Sequence, residues 1–411
     1  MAKVMIVSLG TGRGVESGIA KSIKASHPDK LFFIATEESK SSIERIESVL
    51  GEKLICKPPS IVENPEDVEG CWKTTVQLVR SLIQEGYSPA DISIDFTSGT
   101  KAMSAGCVLA GASFECGNLS YVGGGKRDIN GRVISGTERI IILTPNEFFI
   151  DQRRRMIRDF FNIFQFDACM KLIADARTKS MAEEVRDELY FLETLVSAFS
   201  FWDRFDHLKA ASYFQNLRGK SDSRWKIDTS RSKEIIFKIS KQQEKYAKSK
   251  DIKDKYSDEI LADLLTNAER RAEEGKYDDA VARLYRAVEL VAQMLLARQN
   301  IDTSGVKIKD LPADWQEEYR EIKEPIKIGQ ERAFSLLESL GEETGREYRE
   351  NKNLRNYLSK RNSSILAHQL EPMTKEIYDE LSSETNRLAS KAFPRLSSLK
   401  GKSRFPVLEL V

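Results

Sequence analysis

Arg361 and His368, seven positions apart in Arg361-Asn362-Ser-Ser-Ile-Leu-Ala-His368, are the side chains of this chain best suited to act on phosphate. A guanidinium is charged at every physiological pH and holds a phosphate through two parallel hydrogen bonds, while an imidazole exchanges a proton near neutrality. Phosphoryl chemistry without a metal needs little more. At about 3.6 residues per turn the spacing sets both on nearly one face of a helix, two turns apart, in a segment otherwise apolar enough to pack. Taken alone, such a pair is also what a solvated helix face presents. There are three histidines, and the other two, His27 before Pro28 and His207 in an Asp-His-Leu helical segment, read as surface residues without a basic partner.

A second chemistry resides near the N-terminus. Gly10-Thr11-Gly12-Arg13-Gly14, Thr97-Ser98-Gly99-Thr100-Lys101 and Gly123-Gly124-Gly125-Lys126-Arg127 each follow an apolar run. Glycines admit close backbone approach, hydroxyls supply hydrogen bonds, and the basic residues bring charge for an anion. Together they predict a nucleotide pocket. Dinucleotide binding, with Glu37 or Glu38 as the ribose acid, fails on its fingerprint, because position 15 is Val15 where a third glycine is needed. None of the three loops carries the Gly-Lys-Ser/Thr triplet of a phosphate loop either. The second loop is the least ambiguous: Asp95-Phe-Thr-Ser-Gly-Thr-Lys-Ala-Met103 places hydroxyls and a lysine at the start of a helix whose Ala105, Gly106, Ala110 and Gly111 allow close packing.

The elements that must position these loops are short apolar runs alternating with helical patterns. Strands are predicted at Val4–Leu9, Leu31–Ala35, Leu54–Cys56, Ile92–Phe96, Leu119–Val122 and Arg139–Leu143, with helices near 14–26, 39–50, 66–85 and 100–114. That rhythm is the βαβ pattern of a Rossmann-like, mostly parallel sheet, in which ligands bind at the carboxyl ends of the strands. The last two strands are joined without a helix through Gly123–Gly125 and Asn130-Gly131, so the sheet should end in an antiparallel hairpin. After Pro145 the strand signals give way to charged amphipathic helices. A Lys/Ser-rich stretch near Lys241–Lys255 reads as a linker, and a further helical unit begins near Ser257 and runs to about Ala392, with breaks at Ile301–Pro312 and Pro325. Leu284, Val288, Val291 and Leu295 mark the apolar stripe of its first long helix. The expected organisation is thus an α/β ligand-binding domain over 1–146, a helical connector over 147–250 and an all-α domain over 251–411.

Composition sets outer limits. At 411 residues the chain exceeds a single core. Lys plus Arg at 64 against Asp plus Glu at 63 leave no global positive excess, so any nucleic-acid contact must be local. The five cysteines are scattered, with no C-x-x-C pair and no neighbouring histidine to complete a metal set. Free thiols, no N-terminal apolar leader pattern and no long uncharged apolar run predict a cytoplasmic protein that neither spans nor crosses a membrane.

With both ends in view, the chain resembles the CARF–HEPN ribonucleases of type III CRISPR systems. Thr97–Met103 looks like that family's S/G-G-T-K-x-M loop, Gly10-Thr11-Gly12 is similar to its first ligand loop, and Arg361-Asn362 with His368 after six intervening positions matches the HEPN motif at its upper length limit. The resemblance implies an N-terminal CARF domain binding a cyclic oligoadenylate, such as cyclic tetra- or hexa-adenylate, through Gly10, Thr11, Gly12, Arg13, Glu37, Thr97, Ser98, Gly99, Thr100, Lys101, Gly123, Gly124, Gly125 and Lys126. It also implies a C-terminal HEPN domain that cuts single-stranded RNA in antiviral defence, with its site composed from two copies in a homodimer. There the 2′-hydroxyl attacks its own phosphate without a metal, His368 transfers the proton, Arg361 binds the phosphate, and Asn362 orients one or the other. Two other functions fit parts of the sequence: a ligand-sensing regulator that docks a partner and cuts nothing, and a nicotinamide-dependent oxidoreductase, the latter disfavoured by the broken fingerprint.

Overall fold

The computed structural model describes residues 3–12, 14–54, 56–126, 129, 133–134, 136–143, 146–178, 183–321, 325–367 and 369–411. They form two compact units, one ending at Arg153 and the other beginning at Arg154.

The first unit holds β1 (Val4–Ser8), α1 (Glu16–Ser26), β2 (Lys30–Ala35), α2 (Ser42–Leu50), β3 (Ser60–Ile61), α3 (Val68–Gln84), β4 (Ile92–Asp95), α4 (Lys101–Ser113), β5 (Asn118–Gly124) and β6 (Glu138–Leu143). The strand order is β3-β2-β1-β4-β5-β6, parallel except for the final β5–β6 pair, which is antiparallel from Leu119↔Leu143 to Gly124↔Glu138. Both faces of the central strands are buried, which is why they read as continuous apolar runs. Val4 and Ile6 of β1 pack with Cys71, Val79 and Leu82 of α3 and Met103 and Cys107 of α4. Met5 and Val7 face the other way, onto Ile19 and Ile23 of α1 and Ile46 of α2. The chain therefore leaves β1 for one face and β4 for the other, and these neighbours make the topological switch point at which α/β sheets bind ligands. Gly106 lets α3 and α4 touch: a Cβ there would lie 2.7 Å from the Trp72 nitrogen and 2.8 Å from the Cys71 Cβ.

Two expectations fail in this unit. Of the run Leu54–Cys56, Ile55 lies outside the described residues, Leu54 is in no strand and Cys56 makes one isolated bridge to Leu31; the edge strand is Ser60–Ile61, paired with Ile34 and Ala35. Pro58 and Pro59 lie between the two segments and carry no amide hydrogen, so a ladder started at Cys56 has no donors with which to continue. Gly123 and Gly124, expected in a turn, belong to β5 opposite Arg139 and Glu138. Asn130 and Gly131 of the expected hairpin turn lie outside the described residues.

The second unit opens with the remainder of α5 (Asn146–Asn162), followed by α6 (Phe166–Arg177), α7 (Glu183–Asp203), α8 (His207–Asn216), β7 (Trp225–Lys226) and α9 (Ser230–Ser249). Next come α10 (Asp258–Glu273), α11 (Tyr277–Arg298), α12 (Ala313–Glu318), α13 (Gln330–Ser339), α14 (Glu343–Glu350), α15 (Lys352–Arg361), α16 (Lys375–Ala392), α17 (Leu396–Ser403) and β8 (Glu409–Leu410). Ser257 caps α10 through its hydroxyl, where the sequence placed the start of a helical unit. The stretch read as a linker is instead ordered: α9 runs on to Ser249, and Gln242 and Lys245 bond Asp254 of the following turn at 2.9 and 2.7 Å. The region read as wholly helical also contains β7, which pairs antiparallel with β8 at the far C-terminus. The tail holds on further through Phe405, which lies among Phe164, Phe166, Phe199 and Trp202 beneath the Arg270 guanidinium at 3.9 Å.

His207 is the largest departure from its expectation. It is 1% exposed, and its Nε2 meets Asp263 Oδ2 at 2.7 Å. Asp263, itself 0% exposed, also accepts from Trp202 Nε1 at 2.8 Å. Beside it Asp203 receives Arg270 at 2.9 Å and pairs with Arg271. A charged seam thus fastens α7 and α8 to α10 and pairs carboxylates that burial would otherwise penalise heavily, while Arg270 Nη2 and Arg271 Nε have no hydrogen-bond partner.

Candidate functional site

The Arg361 motif does not lie on one continuous helix. Arg361 is the last residue of α15, Asn362 is its C-cap and exposed, and the chain beyond turns through an isolated bridge between Ser364 and Glu371. Nor are the apolar residues of the motif packed: Ile365 is 62% and Leu366 48% exposed, as is Leu370 just beyond it at 84%. Hydrogen bonds from Ser364 N to Arg361 O and from Ala367 N to Ser364 O, both 3.0 Å, close turns here in place of helical bonds. His368 lies outside the described residues.

Arg361 itself packs on α11. Its guanidinium lies 4.7 Å from the Tyr285 ring centroid, a cation–π contact with α11. Its Nε is buried and has no hydrogen-bond partner. Burial pushes the Tyr285 phenol up, with Glu289 adding to the shift and Arg361 opposing it. Burial likewise raises the Glu289 carboxyl, against the pull of Arg286 and Arg361. Tyr285, Arg286 and Glu289 were not anticipated from the sequence, since nothing local in α11 marks them.

In the first unit, the switch point holds a cavity of about 360 Å³ lined by Gly10, Thr11 and Gly12 after β1, Thr36, Glu38 and Ser39 after β2, Pro65, and Thr97–Thr100 after β4. Two of the three predicted loops are thereby brought together. Gly10 N donates to Ser98 Oγ at 3.0 Å, and Ser8 Oγ donates to Ser98 O. Asp95, wholly buried, accepts from Thr97 N at 2.9 Å and from Ser120 Oγ at 3.1 Å. Thr97 Oγ1 accepts from Val122 N at 2.9 Å, which ties the loop to β5. Thr100 is the N-cap of α4, accepting from Met103 N at 3.1 Å and donating to Pro65 O. Its hydroxyl builds the wall, while the Lys101 and Ala102 amides in the first turn have no intrahelical acceptor and suit an anion.

The remaining predicted ligand residues are placed differently. Lys101 is exposed and does not line the cavity. Gly123 and Gly124 end β5, Gly125 and Lys126 follow it, and all four are likewise outside the lining. Glu37 is exposed and paired with Lys40, while its neighbour Glu38 lines the wall. Arg13 is outside the described residues. Among the described residues no group of three or more His, Cys, Asp or Glu side chains could hold a metal ion, and no helix is long and apolar enough to cross a membrane.

Residues 149–245 match the Csm6 6H domain family and residues 248–391 the Csm6 HEPN domain family. A Rossmann-like unit with a crevice at its switch point, ahead of a helical region that contains a HEPN domain, defines a CARF–HEPN protein. The chain belongs to the Csm6 endoribonucleases of CRISPR systems. It is 25% identical to the CRISPR system endoribonuclease Csm6 of Thermus thermophilus, over 89% of this chain and 80% of that protein. Its fold is similar to that of Enterococcus italicus Csm6 bound to cyclic hexa-2′-fluoro-hexa-dAMP, with a TM-score of 0.58 and 13% identity over 98% of each chain.

Proposed function

We propose that this protein is a metal-independent endoribonuclease for single-stranded RNA, switched on when a cyclic oligoadenylate binds the crevice of its Rossmann-like unit. The observation that carries the RNase site is Arg361: a guanidinium set on an aromatic face, with a buried N–H that has no partner, is prepared for an anion. In the reaction the RNA 2′-oxygen bonds to phosphorus as the bond to the 5′-oxygen breaks, leaving a 2′,3′-cyclic phosphate and a 5′-hydroxyl. Arg361 binds the phosphate and offsets its developing charge, His368 moves the proton, and Asn362 orients the reacting groups.

The activator reading is supported by the Enterococcus italicus Csm6 complex and by the chemistry of the crevice, where glycine backbone, hydroxyls and the start of α4 meet. A cavity of about 360 Å³ suits one compact ligand and is smaller than a ring of four or six nucleotides. The rest of the ring needs a second wall, which a two-fold copy of this unit supplies. Exposed Ile365, Leu366 and Leu370 beside Arg361 likewise favour a second copy there, so the active form is a homodimer with a composite RNA site. The three expected domains, 1–146, 147–250 and 251–411, correspond to sensor, connector and nuclease.

The test is a fluorescent RNA-cleavage assay with and without cyclic tetra- and hexa-adenylate, in EDTA, on wild type, Arg361→Ala and His368→Ala. Activator-dependent cleavage should persist in EDTA, and each substitution should lower the rate by about two to four orders of magnitude. Near wild-type cleavage by both variants would overturn the site assignment.

A further inference from the structure

Resting on the reading of Arg361 as the phosphate ligand, we infer that Arg286 is a second phosphate-binding residue of the RNA site, holding a backbone phosphate next to the scissile one. Helix α11 is buried over most of its circumference, including Leu284, Ala287, Val288, Leu290 and Val291. A half-exposed stripe remains at Tyr285, Arg286, Glu289 and Gln293, a spacing that keeps to one side of a helix. Arg361 lies on this stripe, over the Tyr285 ring. One turn further on, Glu289 feels both the Arg286 and the Arg361 charge, so two guanidinium groups gather about this carboxylate, while Glu331 brings a second carboxylate towards Tyr285.

Arg286 is oriented but incompletely bonded. Its Nη2 donates to Gln293 Oε1 at 2.8 Å, which fixes the plane of the guanidinium. Its Nη1 forms a long ion pair with Glu289 Oε2 at 3.7 Å, beyond hydrogen-bond range, and is buried without a hydrogen-bond partner. Among the described residues, four buried arginine N–H groups have no hydrogen-bond partner, Arg270 Nη2, Arg271 Nε, Arg286 Nη1 and Arg361 Nε, and the last two come together on this one stripe. A ligand with anionic oxygens at regular intervals satisfies both. Single-stranded RNA is such a ligand: its scissile phosphate would lie on Arg361 and a neighbouring phosphate on Arg286. Arg286 then acts on affinity and register, because phosphate contacts position the strand.

The experiment measures KM and kcat of Arg286→Ala and Arg286→Lys at saturating cyclic oligoadenylate, together with binding of an uncleavable 2′-O-methyl RNA over a series of salt concentrations. For Arg286→Ala, KM and the dissociation constant should rise roughly ten- to a hundredfold, the loss of one charge-assisted bond, with kcat within about threefold. The slope of log affinity against log salt should fall by about 0.7, as for one lost phosphate contact on a single strand. Arg286→Lys should keep the slope and recover part of the affinity, which a purely structural role would not produce. If Arg361→Ala abolishes cleavage while both Arg286 variants bind RNA with wild-type affinity and slope, this inference falls and the site reading stands. If Arg361→Ala cleaves normally, the site reading falls with it.

Discussion

Replacing Gly10 with alanine probes the ligand crevice at its tightest point. A Cβ on Gly10 would stand 2.6 Å from the Gly99 nitrogen and 2.8 Å from the Gly99 Cα. The atoms it meets are backbone, and Gly10 is already held at both ends, its amide by Ser98 Oγ at 3.0 Å and its carbonyl by Ser42 Oγ at 2.9 Å. Gly99 has no easy rotation available, since it sits at φ +104° against the Met103 side chain. Relief to an ordinary contact of 3.4 Å requires the loops after β1 and β4 to part by about 0.8 Å. Overpacking of this kind costs about 1–3 kcal/mol. For a unit of this size that lowers Tm by about 2–12 °C. Because the same two loops form the crevice, the half-saturating concentration of cyclic oligoadenylate should rise about five- to a hundredfold. Gly12→Ala is the control for stability, because its Cβ would find nothing within 4 Å. Thermal melts and an activator dose–response on one RNA reporter read both effects. A Gly10→Ala protein with the Tm and dose–response of wild type would refute the reasoning that this contact sets the crevice.

Three further outcomes are expected. Lys101→Ala, which removes an exposed cation at the first turn of α4, should move the activator dose–response to higher concentration while high activator restores most of the cleavage rate; variants that bind activator normally yet cannot be activated would place Lys101 in transmission. Asp263→Ala strips the acceptor from His207 and Trp202 inside the seam, and breaking a buried pair of this kind should cost about 3–5 kcal/mol in denaturant melts of the helical unit; a loss under about 1 kcal/mol would contradict the seam's role. Burial pushes the Cys107, Cys116 and Cys169 thiols up to about 12 from 9.0, so in the folded protein they should resist a thiol reagent at pH 8, and all five cysteines should react once it is unfolded. The sign for stability follows from the raised values: unfolded thiols lose their protons near pH 9 while folded ones keep theirs, so these groups erode stability as pH climbs from about 9 towards 12.

What was legible in the sequence rests on local physical chemistry. Runs such as Val4–Leu9 and Ile92–Phe96 had to be strands buried on both faces, and a hydroxyl at Thr100 or Ser257 ahead of a helical pattern had to be a cap, because periodicity and capping act within a few residues. The order of a sheet followed by helices, the antiparallel last pair and the position of two of the three predicted loops at one crevice came from the same signals. Misreadings arose where a local signal met a distant competitor. Leu54–Cys56 is apolar enough for a strand, yet two prolines deny it a ladder; the stretch from Lys241 is charged enough for a linker, yet Asp254 and the helix before it give it partners. His207 looked like a surface residue because its partner, Asp263, lies 56 positions away. Arg361 was found by its type and spacing, but its seat on Tyr285 and the nearby arginine with an unpaired N–H come from packing α15 against α11. Short-range propensities write the elements and their caps into the chain; which charge is buried, paired or left without a hydrogen-bond partner is decided only when segments far apart in sequence close upon one another and exclude water.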